Sequence, residues 1–261
     1  MSWRSLKWVQ RDYLNSNTLE RFNLLFGNIT HQDTCKQLQL GDHLLYMNPI
    51  SRSLDPDGYY SYQAPHSLVP NAHMYTKRMW THGEIEQQRP LSLEKHYNCT
   101  ETIKYVKPMG THSCFVCIER RVTDENNTPY VTELRTLKYT NSEVSQPSVP
   151  VSIPIPTSPT TIKFTDIDIL QYCQLTNNPH RIHWDYRYAR DEGHQDIVVP
   201  GPLLVQTMAR LSKSIGKIKY KNIAPIYPEQ ELVVLSSTKT NSLWLASPTG
   251  QAYATIQLLS K

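Results

Sequence analysis

Apolar and polar positions alternate through the middle of the chain. Residues 97–106, 113–122 and 130–139 are rich in Val, Ile, Thr and Tyr, and they predict three strands. Asp124-Glu-Asn-Asn127 is turn chemistry that joins the last two into a hairpin. From Gly83 to Tyr139 the pattern therefore predicts an antiparallel meander. Upstream, residues 18–26 carry the spacing of a short amphipathic helix. Residues 49–70, with four prolines and an Asp-Gly pair, predict no regular element.

The second half has a different rhythm. Residues 162–164 predict a short strand, and Thr165 or Asp166 can cap a helix running to about Leu175. A polar loop fills 176–185, and a helix over 186–192 stops at Gly193. Residues 197–199 are brief and apolar. Gly201-Pro202 then opens a helix to about Ile215, since proline suits the first turn, where its missing N–H costs nothing. Leu203, Leu204, Thr207, Met208 and Leu211 give that helix a stripe at spacings of three and four. Strands follow over 217–226, 232–238, 243–246 and 251–259. One buried helix followed by an antiparallel sheet is the layout of a hotdog fold, although the pattern also permits other α+β sandwiches.

Between these regions, residues 141–161 hold five prolines among Ser and Thr. Such a stretch propagates neither a helix nor an interior strand and reads as an extended linker of polyproline character. The predicted organisation is an N-terminal hotdog-like half over 1–140, the linker over 141–161, and a C-terminal half over 162–261 that carries the chemistry.

Composition narrows the classes. The chain has 261 residues, 39% hydrophobic and 19% charged, enough apolar content for a core and too much for a disordered chain. No apolar run approaches the ~18 residues needed to cross a bilayer. The net charge of +4, from 27 basic and 23 acidic residues, is too weak to argue nucleic-acid binding.

Five cysteines, Cys35, Cys99, Cys114, Cys117 and Cys173, fit a reducing compartment better than a disulfide framework. Cys114 and Cys117 have the spacing of a redox or zinc pair, but residues three apart on a strand face opposite ways and cannot share a metal. Asn28, Asn98 and Asn126 begin N-x-Thr triplets. With no secretory leader read ahead of them, these are taken as chance matches. Residues 1–11 hold Arg4, Lys7 and Arg11, no acid, and Trp3, Leu6 and Trp8. That composition fits a mitochondrial address, and it equally fits an ordinary basic first helix.

The chemical residues gather in one loop: Thr176-Asn-Asn178-Pro-His180-Arg-Ile-His183-Trp-Asp185-Tyr-Arg-Tyr188-Ala189. This loop resembles the signature of the MaoC-like (R)-specific enoyl-thioester hydratases and dehydratases, Ser-Gly-Asp-x-Asn-Pro-aliphatic-His-x-Asp-x-x-Tyr-Ala. Ile182, His183, Asp185, Tyr188 and Ala189 match it, and Ile197-Val-Val-Pro-Gly201-Pro-Leu-Leu is similar to the family's lead into its central helix. His180-Arg-Ile-His183-Trp-Asp185, with Arg78-Met-Trp80-Thr-His-Gly83 in the first half, resembles the branch containing mitochondrial 3-hydroxyacyl-thioester dehydratases of fatty acid synthesis. The resemblance implies an α+β double hotdog with one active site: two antiparallel sheets each wrapped around a central helix, the N-terminal helix allowed to be reduced. It also implies (3R)-3-hydroxyacyl thioester substrates, an acyl carrier protein as partner, a mitochondrial location and no cofactor. In this register the family's catalytic Asp falls on Asn178, which cannot act as a base. A second register, anchored on Asn178-Pro179, would instead bring His180, one residue short of the family's spacing, to the place of its His.

The residues can be matched to the reaction. Dehydration removes a proton from C2 and expels the oxygen on C3. His183 can take and return a proton, because imidazole titrates near working pH. Asn178 could hold the departing water through its amide. The enolate oxygen needs an aimed donor, and the Gly201 N–H at a helix N-terminus supplies one, with the dipole favourable. His180, His183 and His194 together could bind zinc, but the loop lacks a nearby Cys or a suitable carboxylate set, so no metal is expected. A His beside Trp and Asp could equally be a packed loop residue. Trp80 and Met79 read as core or tunnel lining, and Asp185 reads as the cap of the next helix.

Two other functions stay open: an (R)-specific enoyl-CoA hydratase acting on CoA esters, and a non-catalytic hotdog protein that binds thioesters or a partner, which Asn178 favours. Oligomeric state is open and includes a homodimer. An acidic carrier protein needs a basic docking surface. Arg187, Arg190, Arg210, Lys213, Lys217, Lys219 and Lys221 follow the loop, with Arg210 and Lys213 the chosen docking pair; the alternative is a solvated face.

Overall fold

Strand pairing organises the chain. The computed structural model describes residues 3–30, 37–143, 149–151, 153, 155–213 and 215–259. The meander is present as β3 (His96–Met109), β4 (Ser113–Thr123) and β5 (Pro129–Thr140), joined by tight turns. Gly110 sits at φ 63° in the first turn, where a side chain would be strained. In the second, the Asp124 carboxylate accepts the N–H groups of Asn126 and Thr128 at 2.9 and 2.8 Å, and Asn127 takes the left-handed position. β1 (Lys7–Tyr13) covers the outer edge of β3, and β2 (Lys77–Gln87) covers β5.

β1 replaces the basic first helix, one of two readings of this stretch, and leaves the mitochondrial reading untouched. Its burial alternates residue by residue, with Trp8 turned inward to lie 4.8 Å from the Tyr62 ring, and period-two burial belongs to a strand. Lys7 and Arg11, which suggested an address, project from its exposed face.

The second half contributes β6 (Thr160–Ile162), β7 (Lys217–Asn222), β8 (Leu232–Ser237), β9 (Ser242–Ala246) and β10 (Ala252–Leu259). The two expected sheets are one. Ten strands run in the order β1-β3-β4-β5-β2-β7-β10-β9-β8-β6, because β2 and β7 pair from His82–Lys221 to Glu86–Lys217. Opposite charges line that join: Lys217 lies 2.9 and 3.3 Å from Glu84 and Glu86, and Lys219 lies 3.3 Å from Glu84.

Helices cover the inner face. α1 (Ser16–Thr30) has 15 residues, so the N-terminal helix is not reduced. α2 (Pro65–Leu68) is one turn, and with a 3-10 turn at Ser61–Gln63 it falls in the segment expected to have no element. α3 (Asp166–Leu175) begins on a full capping box between Thr165 and Asp168. α4 (Tyr186–Asp191) is capped by Asp185, which accepts the Tyr188 N–H at 3.1 Å. α5 (Gly201–Ser212) lies across β7, β9 and β10 with Leu203, Val205 and Met208 fully buried. It stops at Ser212, before the expected Ile215, because Lys213 turns left-handed.

A buried ion pair ties α5 to the first half. Arg210 donates to both oxygens of Asp42 at 2.9 Å and to Asn23 at 2.8 Å, its guanidinium lies over the Phe22 ring, and Gln206 also donates to Asp42. The described parts of 141–161 do not hang free. Val151 donates to Gly250, Ala252 donates to Val149, and Val151 and Ile155 cover Val233, Leu235 and Ala246. No helix among the described residues is long and apolar enough to cross a membrane.

Candidate active site

The join between the halves opens at one end. β7 stops at Asn222, and β2 bulges at Thr81, where the register shifts between Trp80 and His82. Past the bulge, residues 77–80 keep β5 as their only strand partner. A cavity of about 410 Å³ occupies the gap. Met79, Trp80, His82, Lys138 and Lys221 line it on the sheet side, and the 176–183 loop and the first turn of α5 close it inside. Asn222 donates to the Trp80 carbonyl at 3.0 Å and holds the rim. Gly201 is required here: a Cβ would meet the Asn222 amide at 2.8 Å and the Trp80 ring at 2.9 Å. The first N–H groups of a helix have no acceptor within the helix, so the start of α5 presents donors to this space.

His183 ends a 3-10 turn, Arg181–His183, and lines the cavity. Its Nδ1 lies 2.7 Å from the Val198 carbonyl, so Nδ1–H donates and Nε2 is left as an acceptor. Residues 197–199 form no strand; Val198 donates back to Ile182 at 2.9 Å and Val199 to Ile226 at 2.8 Å, clamping the loop. Burial pushes the His183 imidazole down to about 4, the Val198 bond opposes this, and His194 adds to it. The ring is therefore neutral near pH 7.

Asn178 also lines the cavity. Its N–H donates to Cys173 at 2.8 Å, and its Oδ1 accepts the His180 N–H at 3.2 Å, which leaves the Nδ2 amino group for a ligand. His180 is a third lining residue, its ring perpendicular to that of His183 with centroids 5.3 Å apart. His194 lies on the same wall, 3.4 Å from the Tyr227 hydroxyl, and burial, then Lys77, pushes it down to about 4. Among the described residues, no group of three potential ligands is placed to hold a metal. Cys114 and Cys117 sit on opposite faces of β4: Cys114 in an apolar cluster, Cys117 beside Thr136 and Tyr105. Cys35 lies outside the described residues.

Residues 41–228 match the family described as hydroxyacyl-thioester dehydratase type 2. The chain belongs to that family. A Saccharomyces cerevisiae relative named hydroxyacyl-thioester dehydratase type 2, mitochondrial, is 37% identical over 256 residues, covering 92% of this chain and 91% of that protein. A MaoC-like dehydratase from Phytophthora capsici superposes with a TM-score of 0.73 at 13% identity, covering 99% of this chain and 96% of that one. A Mycobacterium tuberculosis protein described as a double hotdog aligns with a TM-score of 0.54 at 10% identity, covering 96% and 93%. These last two likenesses are of fold, and they make the ten-stranded sheet with its helices a double hotdog of the MaoC-like kind.

In this dehydratase family member the first half supplies more of the site than its sequence indicates. Arg78 is buried, donating to Asp55 at 2.8 Å and the Tyr60 carbonyl at 3.0 Å, with Asp57 3.2 Å from its Nε and the Tyr59 and Tyr139 rings against it. The Asp57 carbonyl accepts the Arg181 N–H at 2.8 Å, docking the 55–60 loop onto the 176–183 loop. Gly58, at φ 79°, permits this contact, since a Cβ there would meet the Pro179 carbonyl at 2.7 Å. The only signals in the sequence were Asp-Pro-Asp-Gly and the quoted Arg78 window.

The docking pair needs correction. Arg210 has no exposed surface, because its charge is taken up by Asp42 in the core. Lys213 is exposed, but it follows the end of a 12-residue helix whose start faces the cavity, about 18 Å away at 1.5 Å per residue. Lys217 and Lys219 are engaged by Glu84 and Glu86; of the named cations, Lys221 lines the cavity.

Proposed function

We propose that this chain dehydrates (3R)-3-hydroxyacyl thioesters to trans-2-enoyl thioesters, in mitochondrial fatty acid synthesis. The observation that carries the reading is the His183 imidazole, buried in the cavity with its tautomer set by Val198 and a bare Nε2, beside the start of α5. Family membership and the relative's mitochondrial name support it.

His183 Nε2 takes the C2 proton. The electrons of that bond move toward the thioester carbonyl, whose oxygen is held by the Gly201 N–H at the positive end of α5. The C2=C3 bond then forms as the C3–O bond breaks, with the oxygen held by the Asn178 amide and taking a proton from an imidazole of the site as it leaves. Enoyl thioester and water are the products. No redox step is required.

The acyl chain arrives on an acyl carrier protein. Lys138 and Lys221 lie at the cavity on its sheet side, and among the described residues neither forms an ion pair with a carboxylate. An acidic carrier can approach there while its acyl arm enters the gap. The test incubates purified protein with (3R)- and (3S)-3-hydroxyacyl-pantetheine and follows the ultraviolet absorbance of the conjugated enoyl thioester. Turnover of the (3R) substrate alone is expected. Binding without turnover would make the chain a thioester-binding module, and faster reaction of CoA esters than carrier-protein esters would make it a hydratase of CoA esters.

A further inference from the structure

We propose that His180, backed by Asp57 from the other half of the chain, is a second acid–base residue of this site and supplies the proton to the departing 3-oxygen. The proposal rests on the dehydratase reading above and names the proton donor that Asn178 cannot be.

His180 is as enclosed as His183, 5% against 6% exposed, and both line the cavity. Its Nε2 is buried without a hydrogen-bond partner. The carboxylate facing it is Asp57, with Oδ2 at 3.7 Å, inside ion-pairing reach and just beyond hydrogen-bond length. A buried polar nitrogen left unpaired is costly, and a small closure of this gap removes that cost. Asp57 is held for that purpose. Its Oδ1 accepts the Tyr59 N–H at 2.9 Å, and its own carbonyl binds the N–H of Arg181, the residue after His180. With Nε2 turned to Asp57, Nδ1 is the nitrogen left for a ligand in the cavity.

Charge counting places a proton here. The buried Arg78 guanidinium meets two carboxylates, Asp55 at 2.8 Å and Asp57 at 3.2 Å. One cation between two anions leaves one negative charge unbalanced in a dry place, which is unfavourable. His66, 3.3 Å from Asp55, is partly exposed and can offset it only in part. A proton shared by Asp57 and His180 makes the group neutral. Burial pushes the Asp57 carboxyl up against the opposing pull of Arg78, and burial, with His183, Arg78 and His194, holds His180 well below the usual range. Both directions favour a neutral carboxylic acid beside a neutral imidazole over two separate charges.

The step balances. As the C3–O bond breaks, the Nδ1 proton of His180 passes to the leaving oxygen, which departs as water, and the Asp57 proton passes to Nε2. Asp57 ends as a carboxylate and His180 as the other neutral tautomer. The proton that His183 took from C2 restores the pair between turnovers.

The experiment compares His180→Gln, Asp57→Asn and His183→Gln on two pantetheine thioesters: a 3-hydroxyacyl ester and its 3-chloro analogue. Chloride leaves without a proton, so an acid is dispensable for the second. His180→Gln should slow the hydroxy substrate by at least ~100-fold, the scale of a positioned acid, yet the chloro substrate by no more than about threefold. Asp57→Asn should lower kcat on the hydroxy substrate with KM unchanged and spare the chloro substrate. His183→Gln should slow both. Equal losses on both substrates in His180→Gln and Asp57→Asn would make the pair structural, and no loss on either would remove it from the mechanism. If the unmodified protein eliminates from neither substrate, the dehydratase reading itself fails.

Discussion

The Nδ1 atom of His183 and the carbonyl oxygen of Val198 lie 2.7 Å apart, and this contact sets which imidazole nitrogen faces the cavity. It also couples the site to pH. His183 and His194 are both lowered to about 4, from an ordinary imidazole value near 6.5, by burial. The folded state therefore holds the neutral rings, and the unfolded chain protonates first as pH falls. Their contribution to stability is complete above about pH 6.5 and is lost between there and about pH 4, amounting to about 3 kcal/mol for each ring at most. Glu192, raised to about 7 by burial, takes up its proton first in the fold and works the other way, so denaturant midpoints should fall mainly below pH 6.5 and by less than the two imidazoles alone would give. The acid limb of kcat/KM should lie well below pH 6.5, and a limb at 6.5 would show that His183 is not the proposed base.

Gly201 tests the approach of α5 to the rim. Gly201→Ala puts a methyl 2.8 Å from the Asn222 amide and 2.9 Å from the Trp80 ring, so the helix start, the strand bulge or both must shift. Overpacking of this kind costs about 1–3 kcal/mol. Turnover should drop at least tenfold, because the proposed oxyanion donor moves with the backbone, while thioester binding weakens less. Wild-type kcat in Gly201→Ala would separate that N–H from catalysis.

Asn178 is proposed to hold the 3-oxygen through Nδ2 alone, its Oδ1 being taken by the His180 N–H. Asn178→Ala should lower kcat with KM nearly unchanged. Asn178→Asp keeps the acceptor for His180 but not the donor, so its rate should fall between the two. A kcat in Asn178→Ala equal to wild type would leave the residue a purely local role.

Arg210 and Asp42 predict a stability effect without a binding effect. Removing one member leaves a buried charge unpaired, at a cost of about 3–5 kcal/mol. Arg210→Met should lower the melting temperature sharply and leave KM for any soluble folded fraction unaltered. Arg210→Met together with Asp42→Leu should recover much of the loss, since two apolar side chains leave no charge behind.

Elements were legible where local chemistry decides them. The Thr165 cap, the Asp185 cap, the Asp124 turn and the proline at the start of α5 each act within a few residues, and each is where the pattern put it. Contacts distant in sequence were not legible. Nothing local to Arg210 announces Asp42, 168 positions away, so a buried cation read as a surface one. The β2–β7 join was hidden for the same reason, although its Glu84, Glu86, Lys217 and Lys219 were in plain view. At the site, the loop displayed His180, His183 and Asn178, but Asp57 reaches them from a proline-rich stretch with no periodicity to betray it. The first strand misled because Trp3, Leu6 and Trp8 suit a helix face as well as a strand.

The proposed carrier recognition falls to the sheet side of the cavity. Lys138 on β5 and Lys221 on β7 flank the gap through which an acyl arm would enter, whereas Lys213 marks the far end of α5. Exposed charges act over about 8 Å at physiological ionic strength and are screened beyond it, so the position of a lysine decides whether it can steer a carrier. Lys138→Glu with Lys221→Glu should raise KM for an acyl carrier protein substrate severalfold and leave KM for the matching pantetheine thioester within about twofold. The gap between wild type and variant should narrow as salt is added, because screening removes the attraction that the variant lacks. Lys213→Glu should change neither KM. Steady-state kinetics on both substrates at low and high salt decides it: an equal rise on both would mean that the charge reversals deform the cavity, and a rise confined to Lys213→Glu would return the docking surface to the end of α5.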